Sequence, residues 1–175
     1  MSTPPVFLAE PGTLDDHPAG SSYVLCGTEG RHAGVVQRRG PGEHLDVVDG
    51  AGVRLRCVIA QVDRAELVLE VVEQVREPVP AVRVVLVQAL AKGQRDELAV
   101  EAATEIGVDG VVPWQAERSV VVWRGDRVAK NRARWAACLR GAAKQARRAR
   151  VPDLAEPVGT PALARHVERV VADGG

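Results

Sequence analysis

The chain has 175 residues, 46% hydrophobic and 26% charged, which excludes a disordered chain and suits one medium domain or two small ones. The formal net charge of zero conceals an asymmetry: residues 1–80 hold 7 basic and 12 acidic residues, residues 81–175 hold 16 and 11, so the second half is predicted to meet an anion. Three separated cysteines, with no CxxC pair, argue against a zinc site or a disulfide framework and suit a reducing cytoplasm. No uncharged apolar run reaches about 18 residues, so no spanning helix is expected. The N-terminus has no basic segment leading into an apolar one, so no signal peptide is expected.

Residues 1–76 read as short strands separated by turns. YVLCG (23–27), EHLDVVDG (43–50), VRLRCVIAQVD (53–63) and AELVLEVVEQV (65–75) are rich in Val and Leu, and RRGPGE, DGAG and DRAE punctuate them. Val53, Leu55, Cys57 and Ile59 alternate with Arg54 and Arg56, so they share the buried face. This is the pattern of a small antiparallel β-barrel. REPVPA (76–81) is the predicted boundary, because two prolines interrupt strand pairing there.

The second half changes rhythm. VRVVLVQAL (82–90) is predicted to be a strand buried on both faces. A helix over 96–106 follows, with Leu98, Ala102 and Ile106 at four-residue spacing and Gly107 as its stop. VDGVVPW (108–114) is a second strand. A long helix is predicted from about 126 to 150, ended by Pro152. Thr160 caps a last helix that starts with Pro161 and ends near Ala172. Strand–helix–strand–helix implies parallel strands. Two such strands are too few for a stable sheet, so the chain is expected to be part of a longer protein.

The long helix raises the functional question. No acidic residue lies between Asp126 and Asp153, while basic residues recur. At 100° per residue, Arg140, Lys144 and Arg147 fall on one side, flanked by Lys130, Arg132, Arg134, Arg148 and Arg150. Trp135, Cys138, Leu139 and Ala142 fall on the other. A solvated helix face normally mixes signs, because like charges four residues apart repel. An unrelieved basic face predicts a polyanion partner, and the preference for Arg suits bidentate phosphate contacts.

Other candidates are weaker. His32 is expected to be a hydrogen-bonding residue near a turn. His17, His44 and His166 have no companions at ligand spacing, so no metal is expected. Arg118 and Ser119 follow the second strand of the α/β half, where such folds carry ligand loops. Glu105 stands at a helix C-terminus against the dipole, and is expected to pair with an arginine. No phosphate-binding glycine loop occurs.

Taken together, these segments resemble the RsmE family of 16S ribosomal RNA (uridine-N3) methyltransferases of the SPOUT, trefoil-knotted superfamily. His32, Arg38, Gly42 and Asp49-Gly50 match its H…VLR…G…DG pattern. QALAKGQRDEL (88–98) looks like its Gln-Ala-x-x-Lys strand exit. TEIGVDGVVPWQAERSVV (104–121) is similar to its TELGV…P…ERS signature, and Arg134-Trp135 with KQARRARVP (144–152) to its R-W…Q…R…P helix. Ala102, Gly141 and Lys144 depart from residues common in the family.

The resemblance implies an α/β fold with an N-terminal PUA/OB-like β-barrel over 1–76, a linker at 77–81 and the first part of a SPOUT domain over 82–175. It implies S-adenosylmethionine as cofactor, 16S rRNA or the small ribosomal subunit as partner, a homodimer in the intact protein, no membrane and no metal. The cofactor loop of the family, Gly-Pro-Glu-Gly, does not occur in these residues, so the cofactor site is expected outside them and the chain alone is expected to be inactive. Arg118, Gln145 and Arg148 are the candidates near the substrate. Arg38, Lys92, Arg140, Lys144 and Arg147 are the candidates for RNA contact. A non-catalytic RNA-binding protein, built from a barrel and a basic helix, is the competing reading.

Overall fold

The computed structural model describes residues 3–172. The chain divides into two compact units, one running up to Pro80 and including Ala143–Val151, the other comprising Ala81–Ala142 and the residues from Pro152 onward.

The first unit is built on a mixed five-stranded sheet. Strands β1 (Val6–Leu8), β2 (Ser22–Leu25), β3 (His44–Val48), β4 (Val53–Asp63) and β5 (Glu66–Arg76) lie in the order β1-β3-β4-β5-β2. β1 runs parallel to β3, and the other pairings are antiparallel. The predicted alternation holds in β4: Val53, Leu55, Cys57 and Ile59 are buried, while Arg54 and Arg56 face outward. They pack with Phe7, Leu45, Leu67 and Leu69 into an aliphatic core. Irregular pairing between Arg56 and Cys57 and between Ile59 and Gln61 bends β4. Arg64 turns the chain into β5 through a left-handed backbone, φ 54°.

Two elements depart from expectation. Cys26 onward is not strand: α1 (Gly27–Arg31) runs into a π-helical turn at His32–Val36. Gly30 makes this possible, because a Cβ there would lie 2.4 Å from the Ala65 carbonyl oxygen and 2.5 Å from that of Leu25. β1 was also unforeseen, since three apolar residues carry too little periodicity to read.

In the second unit, β6 (Val85–Ala89), β7 (Gly110–Gln115), β8 (Asp153–Leu154) and β9 (Val158–Gly159) form a parallel sheet, with β6, β8 and β9 all bonded to β7. β8 and β9, two residues each, were not predicted. Within the described residues β6 lies at an edge of this sheet, and it is not buried on both faces: Val85 is 45% exposed and Val87 37%.

Helix α2 (Arg95–Ile106) ends as expected at Gly107, whose φ of 110° only glycine adopts easily. Its buried face is Asp96, Val100 and Thr104, however, while Leu98 and Ile106 of the predicted stripe are exposed. Helix α4 (Thr160–Ala172) has the expected bounds. No helix among the described residues is long and apolar enough to cross a membrane.

Helix α3 (Asp126–Gln145) stops five residues earlier than predicted. Arg147 takes φ 57°, its N–H bonds to the Lys144 carbonyl at 3.1 Å, and that of Arg148 reaches Ala143 at 2.9 Å. The chain then runs into the first unit's sheet region, where the Val151 N–H bonds to the Gly50 carbonyl at 2.9 Å.

Candidate functional site

Open α/β sheets hold ligands beyond the carboxyl ends of their strands. At that end of β6 the chain makes a tight turn, with Gly93 at φ 69° and Gln94 at φ 64°. Glycine adopts this backbone freely, whereas glutamine is strained in it. The buried Asp96 carboxylate stabilises the turn, accepting from the Ala91 N–H at 3.3 Å and the Glu97 N–H at 3.0 Å. The segment from β7 to α3 is anchored by the Trp123 N–H, which donates to Gln115 Oε1 at 3.1 Å. The Trp123 indole meets that of Trp135 edge-on, with ring centres 5.2 Å apart.

Turn, segment and helix line an open cavity of about 320 Å³. Lys92, Gln94 and Asn131 line it, and among the described residues their side chains make no hydrogen bond or ion pair. Glu97 and Arg134 also line it and are ion-paired with one another. The Cys138 thiol donates to the Glu97 carbonyl at 3.5 Å. Burial, and then the charges of Glu101 and Glu97, push its pKa up, so it is no ready nucleophile. Among the described residues no group of three His, Cys, Asp or Glu could hold a metal ion.

Of the residues singled out from sequence, Lys92 lines the cavity. Arg118 does not, lying exposed in the turn after β7, and Arg140 is half-buried on α3. These three belong to the second unit. Arg38, Lys144, Gln145, Arg147 and Arg148 belong to the first. Gln145 and Arg147 are exposed, Lys144 and Arg148 half-buried. The sequence pattern missed Gln94, Trp123 and Asn131. Only the strand-exit rule pointed toward them, because their convergence depends on the course of residues 116–125.

The expectation of an unrelieved basic face is corrected. Arg132 pairs with Glu156 at 2.5 Å, Arg134 with Glu97, and Lys144 with Glu29 at 2.6 Å. The Lys144 ammonium also lies 4.9 Å from the centre of the Phe7 ring. Arg150 donates to the carbonyls of Ala51 at 2.5 Å and Glu77 at 2.7 Å. The side chains of Arg127, Lys130 and Arg147 make no such pairing among the described residues. His32 is hydrogen-bonded, its Nε2 3.0 Å from Gln37 Nε2, and packs against Phe7. Glu105 is exposed and pairs with no arginine among the described residues.

Comparison with known proteins gives this geometry a context. The chain is 46% identical over 164 residues to a ribosomal RNA small subunit methyltransferase E of Mycobacterium bovis, covering 93% of this chain and 61% of that protein. The protein of the same name from Bacillus subtilis is 29% identical over 133 residues, 75% of this chain and 52% of that one. The chain thus spans about three fifths or less of the length of these relatives. Among solved structures, a methyltransferase of Legionella pneumophila with bound SAM superimposes with a TM-score of 0.74 at 26% identity, over 90% of this chain and 64% of that one. A ribosomal RNA small subunit methyltransferase E from Neisseria gonorrhoeae, bound to S-adenosyl methionine, does so at 0.74 and 24% identity, over 90% and 63%, and shares the fold. Residues 77–172, more than half of the chain, match the RNA methyltransferase domain, and the chain belongs to that family.

Proposed function

We propose that the protein to which this chain belongs transfers a methyl group from S-adenosylmethionine to N3 of a uridine in the 16S rRNA of the small ribosomal subunit. One observation carries this reading: the 46% identity to a named small-subunit methyltransferase, sustained over 93% of the chain. The strand-exit loop, the ERS turn and the RW helix all lie within that span. On this reading the protein is a cytoplasmic homodimer, the mixed sheet of residues 1–76 is a PUA/OB-like barrel that binds RNA, and residues 82–175 belong to a SPOUT domain.

S-adenosylmethionine supplies an electrophilic methyl when bound. The Gly-Pro-Glu-Gly loop through which the family holds it does not occur in these residues. The cavity of about 320 Å³ is at the small end of ligand sites. Of its two carboxylates, Glu97 pairs with Arg134 and the buried Asp96 accepts backbone N–H groups. The chain's own contribution is positioning and positive charge. We assign substrate proximity to Arg118, Gln145 and Arg148, and RNA contact to Arg38, Lys92, Arg140, Lys144 and Arg147. Arg38 and Arg147 are exposed, which supports their assignment.

Deleting the gene and digesting the small-subunit RNA to nucleosides tests the proposal. Mass spectrometry is expected to show loss of one N3-methyluridine per subunit. An unchanged content of that nucleoside would refute it.

A further inference from the structure

We infer that Gln115 is a positioning residue for Arg118, fixing the loop that carries it at the carboxyl end of β7; this rests on the assignment of Arg118 to the neighbourhood of the substrate. Residues 116–122 leave β7 and return to the second unit at Trp123. None of them is buried, and Glu117, Arg118 and Val120 are exposed. A loop that contributes no residue to the core is not held in place by packing. Its position is set where its two ends are held.

Both ends are fixed. Gln115 is the last residue of β7 and lies in register with Gly159 of β9. Trp123 is buried, its indole edge-on to that of the buried Trp135. One side-chain bond joins the two ends, because Gln115 Oε1 accepts the Trp123 N–H at 3.1 Å. That bond closes the loop at its neck.

Within the neck the course of the chain is short. The Ser119 N–H donates to the Ala116 carbonyl at 2.9 Å, which closes a turn with Glu117 and Arg118 at its centre. Arg118 therefore stands at the tip of a turn that begins one residue after Gln115. Its guanidinium makes no hydrogen bond or ion pair among the described residues, so nothing at the tip steadies it. The sheet holds the Gln115 backbone, the Gln115 carboxamide holds Trp123, and the neck between them sets where Arg118 is presented. Without the acceptor, the Trp123 N–H must turn toward water, because a part-buried donor is costly to leave unpaired. The neck then opens and the tip moves with it. A displacement of about 1 Å at a group that positions substrate costs on the order of a hundredfold in rate at most sites where the effect is complete.

A Gln115 that served only to seat Trp123 would act independently of Arg118, and the two losses would multiply. The test therefore uses the intact gene product and small-subunit RNA from cells lacking the gene, with kcat for methyl transfer measured at saturating RNA. Gln115→Met keeps the length of the side chain and removes the acceptor. It is expected to lower kcat about tenfold, Arg118→Ala about a hundredfold, and the double variant no further than Arg118→Ala alone. Gln115→Glu keeps an acceptor oxygen and is expected to recover most of the rate lost in Gln115→Met. An undiminished kcat in Gln115→Met, or losses that multiply in the double variant, would overturn the inference. Amide hydrogen exchange reads the neck without activity. Exchange across residues 116–123 is expected to quicken in Gln115→Met, with the rest of the second unit unchanged, and to stay slow in Gln115→Glu. Equal exchange in all three proteins would overturn the neck. Quickened exchange in a protein whose unaltered form methylates no RNA would overturn the methyltransferase reading and leave the fixing of the loop by Gln115 standing.

Discussion

At the scale of single residues, Gly30 and Cys57 show how tightly the first unit is packed. An alanine at position 30 would drive its methyl into two backbone carbonyls, neither of which can rotate away as a side chain can. Gly30→Ala is therefore expected to destabilise the protein by about 1–3 kcal/mol, measured as a lower midpoint in urea with the slope unchanged. Cys57 gives a pH prediction. Burial first, and the Asp46 charge second, push its thiol up from an ordinary value of 9.0 to about 12. In the unfolded chain the thiol ionises near its ordinary value, while the folded form keeps its proton, so the folded state binds more protons between these values. Stability from this group is complete below pH 9 and is lost as pH rises toward 12. Cys57→Ala is expected to flatten that part of the stability profile. At pH 8, a maleimide is expected to label the exposed Cys26 and spare the buried Cys57.

At the scale of elements, the end of α3 is the most informative. The sequence pattern extends the helix to Arg150, because nothing between Gln145 and Pro152 is a stop signal. Arg147 ends it by adopting a left-handed backbone, and Arg54 helps hold that turn, its guanidinium donating to the Arg147 carbonyl at 2.8 Å while pairing with Asp46 and Glu77. A glycine would adopt this conformation without strain. Arg147→Gly is therefore expected to raise stability by about 1 kcal/mol and yet weaken RNA binding, lowering the salt slope by about one. Opposite signs on stability and affinity would mark Arg147 as a residue retained for its ligand. Loss of both would make it a structural residue.

Elements bounded by strong local signals were legible. The β4–β5 pair had its alternation, α2 had Gly107 and α4 had Thr160-Pro161. The α1 segment was not, because Gly27 reads as the end of a strand and the Leu25 and Ala65 carbonyls that pack against Gly30 are set only by the fold. β8 and β9 are two residues each, too short for any period. The partners that neutralise the basic helix were also invisible: Glu29 lies 115 residues from Lys144, and Glu97 lies 37 from Arg134. The cavity was half legible. Lys92 stood out at a strand exit, whereas Asn131 and Trp123 reach it only through the folded course of the chain.

At the scale of the whole molecule, the opposite charges of the two halves do not describe its parts in full. Residues 143–151 carry basic groups that group with the acidic first unit, and several arginines are consumed in internal pairs. On or beside α3, Arg127, Lys130 and Arg147 are exposed, and Lys92 lines the cavity. The most direct measurement is methyl transfer in solution. Small-subunit RNA from cells lacking the gene would be incubated with the intact gene product and isotopically labelled S-adenosylmethionine, then digested to nucleosides and separated. The account predicts label in N3-methyluridine alone. Label on a ribose, on carbon 5 of a pyrimidine or on large-subunit RNA, or no label at all, would contradict it.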